Sequence, residues 1–201
     1  MGDTPALHEL LRAIAVRDHH AALARLTEAP TLATTTLARR DECFLEERSV
    51  PLYEGDTALH AAAFSYDPAM ASALLDRGAD IRARNRRGAE PLHAAVLGNP
   101  VSPTWNPAEQ AAVIRFLVGS GADPDAPASG GVTPLHRAVR NRCSAAVEAL
   151  LRAGADPHLP NDHGSTALDL ARVTSGRGGS GSDQARAEQR IILDLLTTGA
   201  P

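Results

Sequence analysis

Residues 132–138 read Val-Thr-Pro-Leu-His-Arg-Ala, and this stretch decides the fold because variants of it recur along the chain. The matching segments are 56–62, 89–95 and 165–171. Thr57 precedes Glu90 by 33 residues, and Thr133 precedes Thr166 by the same interval. Each segment is followed by an aliphatic pair and then by Gly-Ala. A fixed period of this length is typical of stacked repeats, in which each unit buries its apolar face against the next.

The residue types in the repeated segment predict a helix–turn–helix unit. Thr133 and Thr166 are good N-caps, and Pro91 and Pro134 fit the first helical position, where no amide donor is needed. The glycine after the aliphatic pair predicts a left-handed helix stop. Glu90 departs from the pattern, because glutamate is a poor N-cap. We therefore expect the first helix of that repeat to begin less firmly, unless the carboxylate has another use.

The period, together with Thr-Pro-Leu-His and Gly-Ala-Asp, closely resembles the ankyrin repeat, and the resemblance covers roughly residues 52–201. It implies an all-α ankyrin-repeat solenoid of stacked helix–turn–helix units with short β-hairpin-like fingers. It also implies that His60, His93 and His136 are structural and bond the backbone of a neighbouring repeat. We predict a single domain over 1–201, with a degenerate N-terminal capping repeat over 4–33, a long finger insertion over 34–51, and repeats over 52–84, 85–127, 128–160 and 161–201.

Besides the enlarged finger 34–51, two insertions interrupt the pattern, at 98–107 and 174–182. These two occupy the same turn in alternate repeats, so we expect them on one edge, flanking the basic turn 140–144 as a notch. The alternative is that they are tolerated surface insertions, which cost little for their length. The last insertion contains Gly-x-Gly-x-x-Gly over 176–181, but no strand pattern precedes it as a dinucleotide site requires. A small anion at the following helix N-terminus stays an alternative.

Composition excludes several kinds of chemistry. All 20 basic residues are arginine, so a Schiff-base lysine and a P-loop lysine are both excluded. The net charge of −4 and the lack of aromatics among the arginines disfavour nucleic-acid binding. We find no secretory start, no membrane-length apolar run, and no metal-ligand or paired-cysteine spacing. We therefore expect a cytoplasmic monomer with free thiols and without metal or cofactor.

Our leading hypothesis is that the chain binds a protein or peptide partner through an arginine-rich concave face. The resemblance implies that finger tips and inner helices form this face. The predicted partner-binding residues are Tyr53, Glu54, Asp56, Phe64, Arg84, Arg86, Arg87, Trp105, Arg137, Arg140, Asn141 and Arg177. Arginines in the face suit an acidic peptide or a partner of mixed charge. Two alternatives are that the opposite charges only pair with each other, and that Trp105 and Phe44 only fix their own loops.

A different function would use the insertions 34–51, 98–107 and 174–182 to build a small-molecule or anion site, or an enzyme. Glu46, Glu47 or Glu90 would then act as acid or base, or Cys143 as nucleophile. No triad or paired-carboxylate spacing supports this, so the sequence favours a binding role over an enzymatic one.

Overall fold

A computed structural model describes residues 4–45, 50–98, 100, 102, 105–173 and 182–198. The chain divides into two compact units, Met1–Ala95 and Val96–Pro201, and each is described by itself. The division falls within the predicted second repeat, 85–127, beside its insertion.

The first unit is built around a row of inner helices. Its described helices are α1 (Thr4–Ala15), α2 (His19–Glu28), α3 (Ala58–Phe64), α4 (Pro68–Leu75) and α5 (Pro91–Ala95), and short 3-10 turns cover Pro30–Ala33 and Arg39–Asp41. Helix α3 packs against α1, α4 and α5, while α2 packs on α1. The buried side chains of Leu10, Ile14 and Leu59 belong to this row, so α1, α3 and α5 share one apolar core.

The enlarged finger of the first unit forms a β-hairpin, which confirms the prediction of a hairpin-like finger. Strand β1 (Cys43–Leu45) pairs antiparallel with β2 (Val50–Leu52), with Phe44 opposite Pro51. At the base of the finger, the backbone N–H of Leu37 donates to the carbonyl of Asp56. The N–H of Gly55 donates to the carbonyl of Leu37, and both N···O distances are 2.8 Å.

The second unit has two layers of helices. Its described helices are α6 (Pro107–Gly119), α7 (Pro134–Arg140), α8 (Ser144–Arg152), α9 (Ala167–Arg172) and α10 (Asp183–Thr198). Helix α8 packs between α6 and α10, while α7 packs against both α8 and α9. Buried Leu117, Leu135, Leu150 and Ile192 fill the space between the layers. The all-α solenoid repeat architecture predicted from the sequence is confirmed.

Two of the repeated histidines join successive repeats, as predicted. Nδ1 of His60 accepts the backbone N–H of Thr57, which leaves the Nε2–H to donate to the carbonyl of Ala89, 3.1 Å away. His136 repeats this arrangement, and its Nε2 lies 3.0 Å from the carbonyl of Ser165. Both imidazoles are buried, with 2% and 1% exposure. They are therefore structural donors inside each unit and are not exposed bases.

Candidate functional site

The arginine-rich turn, residues 82–88, is shaped by a buried asparagine that the sequence analysis missed. Oδ1 of Asn85 accepts the N–H groups of Arg87 and Ala89 at 2.9 and 3.1 Å, and Nδ2 donates to Asp56 Oδ1 at 2.9 Å. Asn161 accepts the N–H groups two and four residues ahead in the same way. The signal in the sequence is Asn-x-x-Gly, which occurs at 85–88 and again at 161–164.

This turn lies against the enlarged finger, backbone to backbone. The N–H of Arg86 donates to the carbonyl of Glu54 at 2.7 Å. Gly55 has a positive φ of 88°, and a Cβ placed there would lie 2.7 Å from both the carbonyl oxygen of Arg84 and the Cα of Asn85. Only glycine fits this position without displacing the turn. This close contact fixes the backbone from which the arginine side chains extend.

Tyr53 receives two of these arginines on its ring. The Cζ atoms of Arg87 and Arg86 lie 4.3 and 4.9 Å from the ring centroid, which is within cation–π range. Arg86 also donates to both carboxylate oxygens of Glu42, with 3.1 Å between Nη2 and Oε2. The hydrogen bond from Arg86, and then the N–H of Glu54 at 3.0 Å, hold the pKa of Glu42 below its ordinary value. Glu42 is therefore a charged anchor for Arg86.

The arginines of the turn differ in how their charge is balanced. Arg84 donates through Nε and Nη2 to Oε1 of the buried Glu90, at 3.0 and 2.9 Å. Arg86 is paired with Glu42. For Arg82 and Arg87, no carboxylate in the described part of the chain lies within salt-bridge distance. The expectation that opposite charges pair therefore applies to two of the four arginines, Arg84 and Arg86.

Comparisons with known proteins agree with this architecture. A profile described as "Ankyrin repeats (many copies)" matches residues 119–171, and one described as "Ankyrin repeat" matches residues 54–86. The chain therefore contains ankyrin repeats. Ankyrin repeat and SOCS box protein 16 of Mus musculus is 38% identical over 115 residues, 57% of this chain and 25% of that protein. Neurogenic locus notch homolog protein 2 of Homo sapiens is 36% identical over 122 residues, 60% of this chain and 4% of that protein.

The chain therefore spans a quarter or less of the length of these curated relatives. Ankyrin repeats are in general modules for protein–protein interaction. Within the described ranges, no helix is long and apolar enough to cross a membrane. Nor does any group of three or more His, Cys, Asp or Glu side chains there have a geometry that could hold a metal ion.

Among the predicted partner contacts of the first ankyrin unit, Asp56 alone is buried. Asp56 is 4% exposed, and its carboxylate accepts hydrogen bonds from Asn85 and from the N–H of Tyr53. We correct its assignment, because a carboxylate enclosed in this way holds the finger together and is not presented to a partner. Phe64 is half-buried at the end of α3.

In the second ankyrin unit, α7 carries Arg140 exposed and Arg137 half-buried. Trp105 is half-buried, and its Nε1 donates to Gln110 Oε1 at 2.9 Å, while Gln110 Nε2 donates to the carbonyl of Leu97. This hydrogen bond joins the end of the insertion to α6, and Trp105 stays a predicted partner contact. Gln110 was missed by the sequence analysis, although a lone polar residue on the apolar stripe of α6 signals it.

Asn141 also contacts the segment that precedes this insertion, because its Nδ2 donates to the carbonyl of Val96 at 3.3 Å. The basic turn 140–144 is therefore hydrogen-bonded to the chain just before the insertion. Arg177, predicted to bind a partner from the last insertion, lies outside the described residues.

Of the four enzyme candidates, the structure describes Cys143 and Glu90, and both are buried. Cys143 is 0% exposed, and burial raises the pKa of its thiol to about 12, so almost no thiolate exists at neutral pH. This corrects its candidacy as a nucleophile. Glu90 is 2% exposed and ion-paired with Arg84, which is the other use anticipated for its carboxylate. Glu46 and Glu47 lie outside the described residues.

Proposed function

We propose that this ankyrin-repeat chain binds a protein partner through the arginine-rich turn and the neighbouring hairpin, and that the contacted part of the partner is acidic. The observation that carries the proposal is Arg87, whose guanidinium lies over Tyr53 without a carboxylate partner among the described residues. An exposed cation in a fixed position is the complement of a carboxylate on an incoming chain.

Stacking on the tyrosine ring prepares Arg87 for this contact. A guanidinium that rests on an aromatic face keeps its N–H donors in its own plane, where they can bind a carboxylate with two parallel hydrogen bonds. Its neighbour Arg86 is already restrained by Glu42, so less side-chain entropy is lost on binding. The arrangement therefore favours a planar anion, such as an Asp or Glu side chain.

The hairpin adds an apolar contact to this charged surface. Phe44, in β1 and two residues after Glu42, is 55% exposed. Exposed aromatic side chains are frequent anchors at protein interfaces. We propose that an apolar residue of the partner, next to its acidic segment, packs on Phe44.

The test uses a partner recovered by affinity purification from the native host, followed by measurement of its Kd for the full chain. We expect Arg87→Glu to weaken binding roughly tenfold or more, because it replaces attraction by repulsion. Arg77→Glu is the matched control, since Arg77 is exposed in the same unit and its guanidinium donates to its own helix at Ala73. If both variants bind equally well, the turn is not the binding surface.

The predicted face also includes Arg137 and Arg140, and these remain proposed contacts. A double change of both to Glu tests them separately from Arg87. We also propose that the chain acts as a cytoplasmic monomer that does not bind nucleic acid, for which the net charge of −4 is the support. Size-exclusion chromatography with light scattering, and a filter-binding assay with DNA and RNA, test the last two points.

A further inference from the structure

The second unit contains a cavity of about 470 Å³ between the end of α7, the turn 161–165 and the helices α9 and α10. Its apolar lining includes Val139, Leu170 and Ile192. The volume lies within the range of roughly 300–1,000 Å³ that is usual for small-molecule sites. A mostly apolar cavity with a few polar groups on its wall has the composition of such sites.

The charge on the cavity wall is positive. Arg140 and Arg142 both line it, and no carboxylate is among the described residues of its lining. Arg140 is exposed, and no described carboxylate lies within salt-bridge distance of its guanidinium. Arg142 is only 4% exposed. In a chain of net charge −4, this wall is locally cationic and favours an anion.

The wall is also fixed in place. Nε2 of Gln189 on α10 donates to the carbonyl of Ala171 on α9 at 2.8 Å. In the turn opposite, Asn161 Oδ1 accepts the N–H groups of His163 and Ser165 at 2.9 and 3.1 Å. Since these bonds hold both sides of the cavity, a ligand would enter a largely preformed site.

We propose that this cavity binds a small organic anion, whose carboxylate is held by Arg140 and whose apolar part packs against Leu170 and the exposed Val173. Arg140 is also a proposed partner contact, but the site shares no residue with the arginine-rich turn and the hairpin of the first unit, so either proposal can fail alone. A guanidinium beside an apolar wall discriminates a carboxylate from the matching alcohol, because only the carboxylate forms charge-assisted hydrogen bonds.

The experiment is an NMR titration of the full-length 15N-labelled chain with 4-phenylbutyrate, at concentrations up to about 10 mM. We expect saturable shifts of the Gln189 side-chain amide and of the Ala171 backbone amide. Arg140→Gln should weaken binding roughly tenfold, the usual effect of losing a charge-assisted hydrogen bond. Arg115→Gln is the matched control, because Arg115 is exposed on α6 and does not line the cavity.

The neutral probe 4-phenylbutanol separates charge recognition from simple apolar binding. The alcohol should bind at least about tenfold more weakly than the acid, as measured from the same resonances. It is overturned by the absence of saturable shifts with 4-phenylbutyrate, by equal affinities of the Arg140→Gln and Arg115→Gln variants, or by an alcohol that binds as tightly as the acid.

Discussion

Replacing Gly55 with alanine should destabilise the first unit by much more than the same change at Gly78. Both glycines have positive φ, 88° and 85°, so both alanines carry the left-handed cost of about 1–2 kcal/mol, partly offset by about 0.4–1 kcal/mol from a less flexible unfolded chain. At Gly55 the new Cβ would also lie 2.7 Å from the backbone of Arg84 and Asn85. Forcing that backbone apart adds about 1–3 kcal/mol.

Nothing lies within 4 Å of a Cβ at Gly78, so that variant is the matched control. We expect a loss of about 2–4 kcal/mol for Gly55→Ala and about 1 kcal/mol or less for Gly78→Ala. In thermal unfolding followed by circular dichroism, this corresponds to Tm shifts of about 5–15 °C and at most about 2–4 °C. Equal Tm shifts for the two variants would refute the close contact between the finger and the arginine-rich turn.

Three further predictions concern both units. In Gly131→Ala the new Cβ would lie 2.5 Å from the neighbouring turn, whereas in Gly154→Ala it would lie in open space. Gly131→Ala should therefore lower Tm more than Gly154→Ala, and the reverse order would contradict the turn packing. In a thiol-reagent assay of the folded chain at pH 8, the half-buried Cys43 should react slowly and Cys143 should not react, because burial raises the pKa of both thiols and that of the fully buried Cys143 to about 12. Fast labelling of both thiols would show that Cys143 is accessible. Burial lowers the pKa of His136 in the folded chain. As pH falls below about 6.5, the imidazole is therefore protonated more readily in the unfolded chain than in the folded one. The stability that neutral His136 provides is thus present above that pH and lost below it. The difference in unfolding free energy between wild type and His136→Gln should therefore shrink from pH 7.5 to pH 5.5. A constant difference would count against the buried neutral imidazole.

Most of the fold could be predicted because residues within each repeat mark where its helices begin. Thr133 and Pro134 mark where α7 begins, and in the structure the Thr133 side chain caps this helix by accepting the N–H of His136. The weaker start predicted at Glu90 is not confirmed: α5 begins at Pro91, the position equivalent to Pro134, and its five residues against seven in α3 and α7 reflect an earlier C-terminal end. Local cap chemistry decides these starts, so a single sequence is enough to locate them.

The candidate site was harder to predict because it depends on contacts between distant residues. The sequence identified Tyr53, Arg86 and Arg87 as members of one surface, but the partner of Arg86 is Glu42, 44 residues away. The burial of Asp56 likewise depends on Asn85 in the next turn, 29 residues along. Spacing within a repeat does not encode which charges of neighbouring fingers meet, and these contacts decide which arginines are paired with a carboxylate.

The most direct test of the proposed binding surface is hydrogen–deuterium exchange of the chain with and without its purified partner. The account predicts slower exchange on binding in the peptides that cover 50–56 and 82–88, with little change in α4 (Pro68–Leu75). Protection of α4 with unchanged exchange across both finger segments would contradict it.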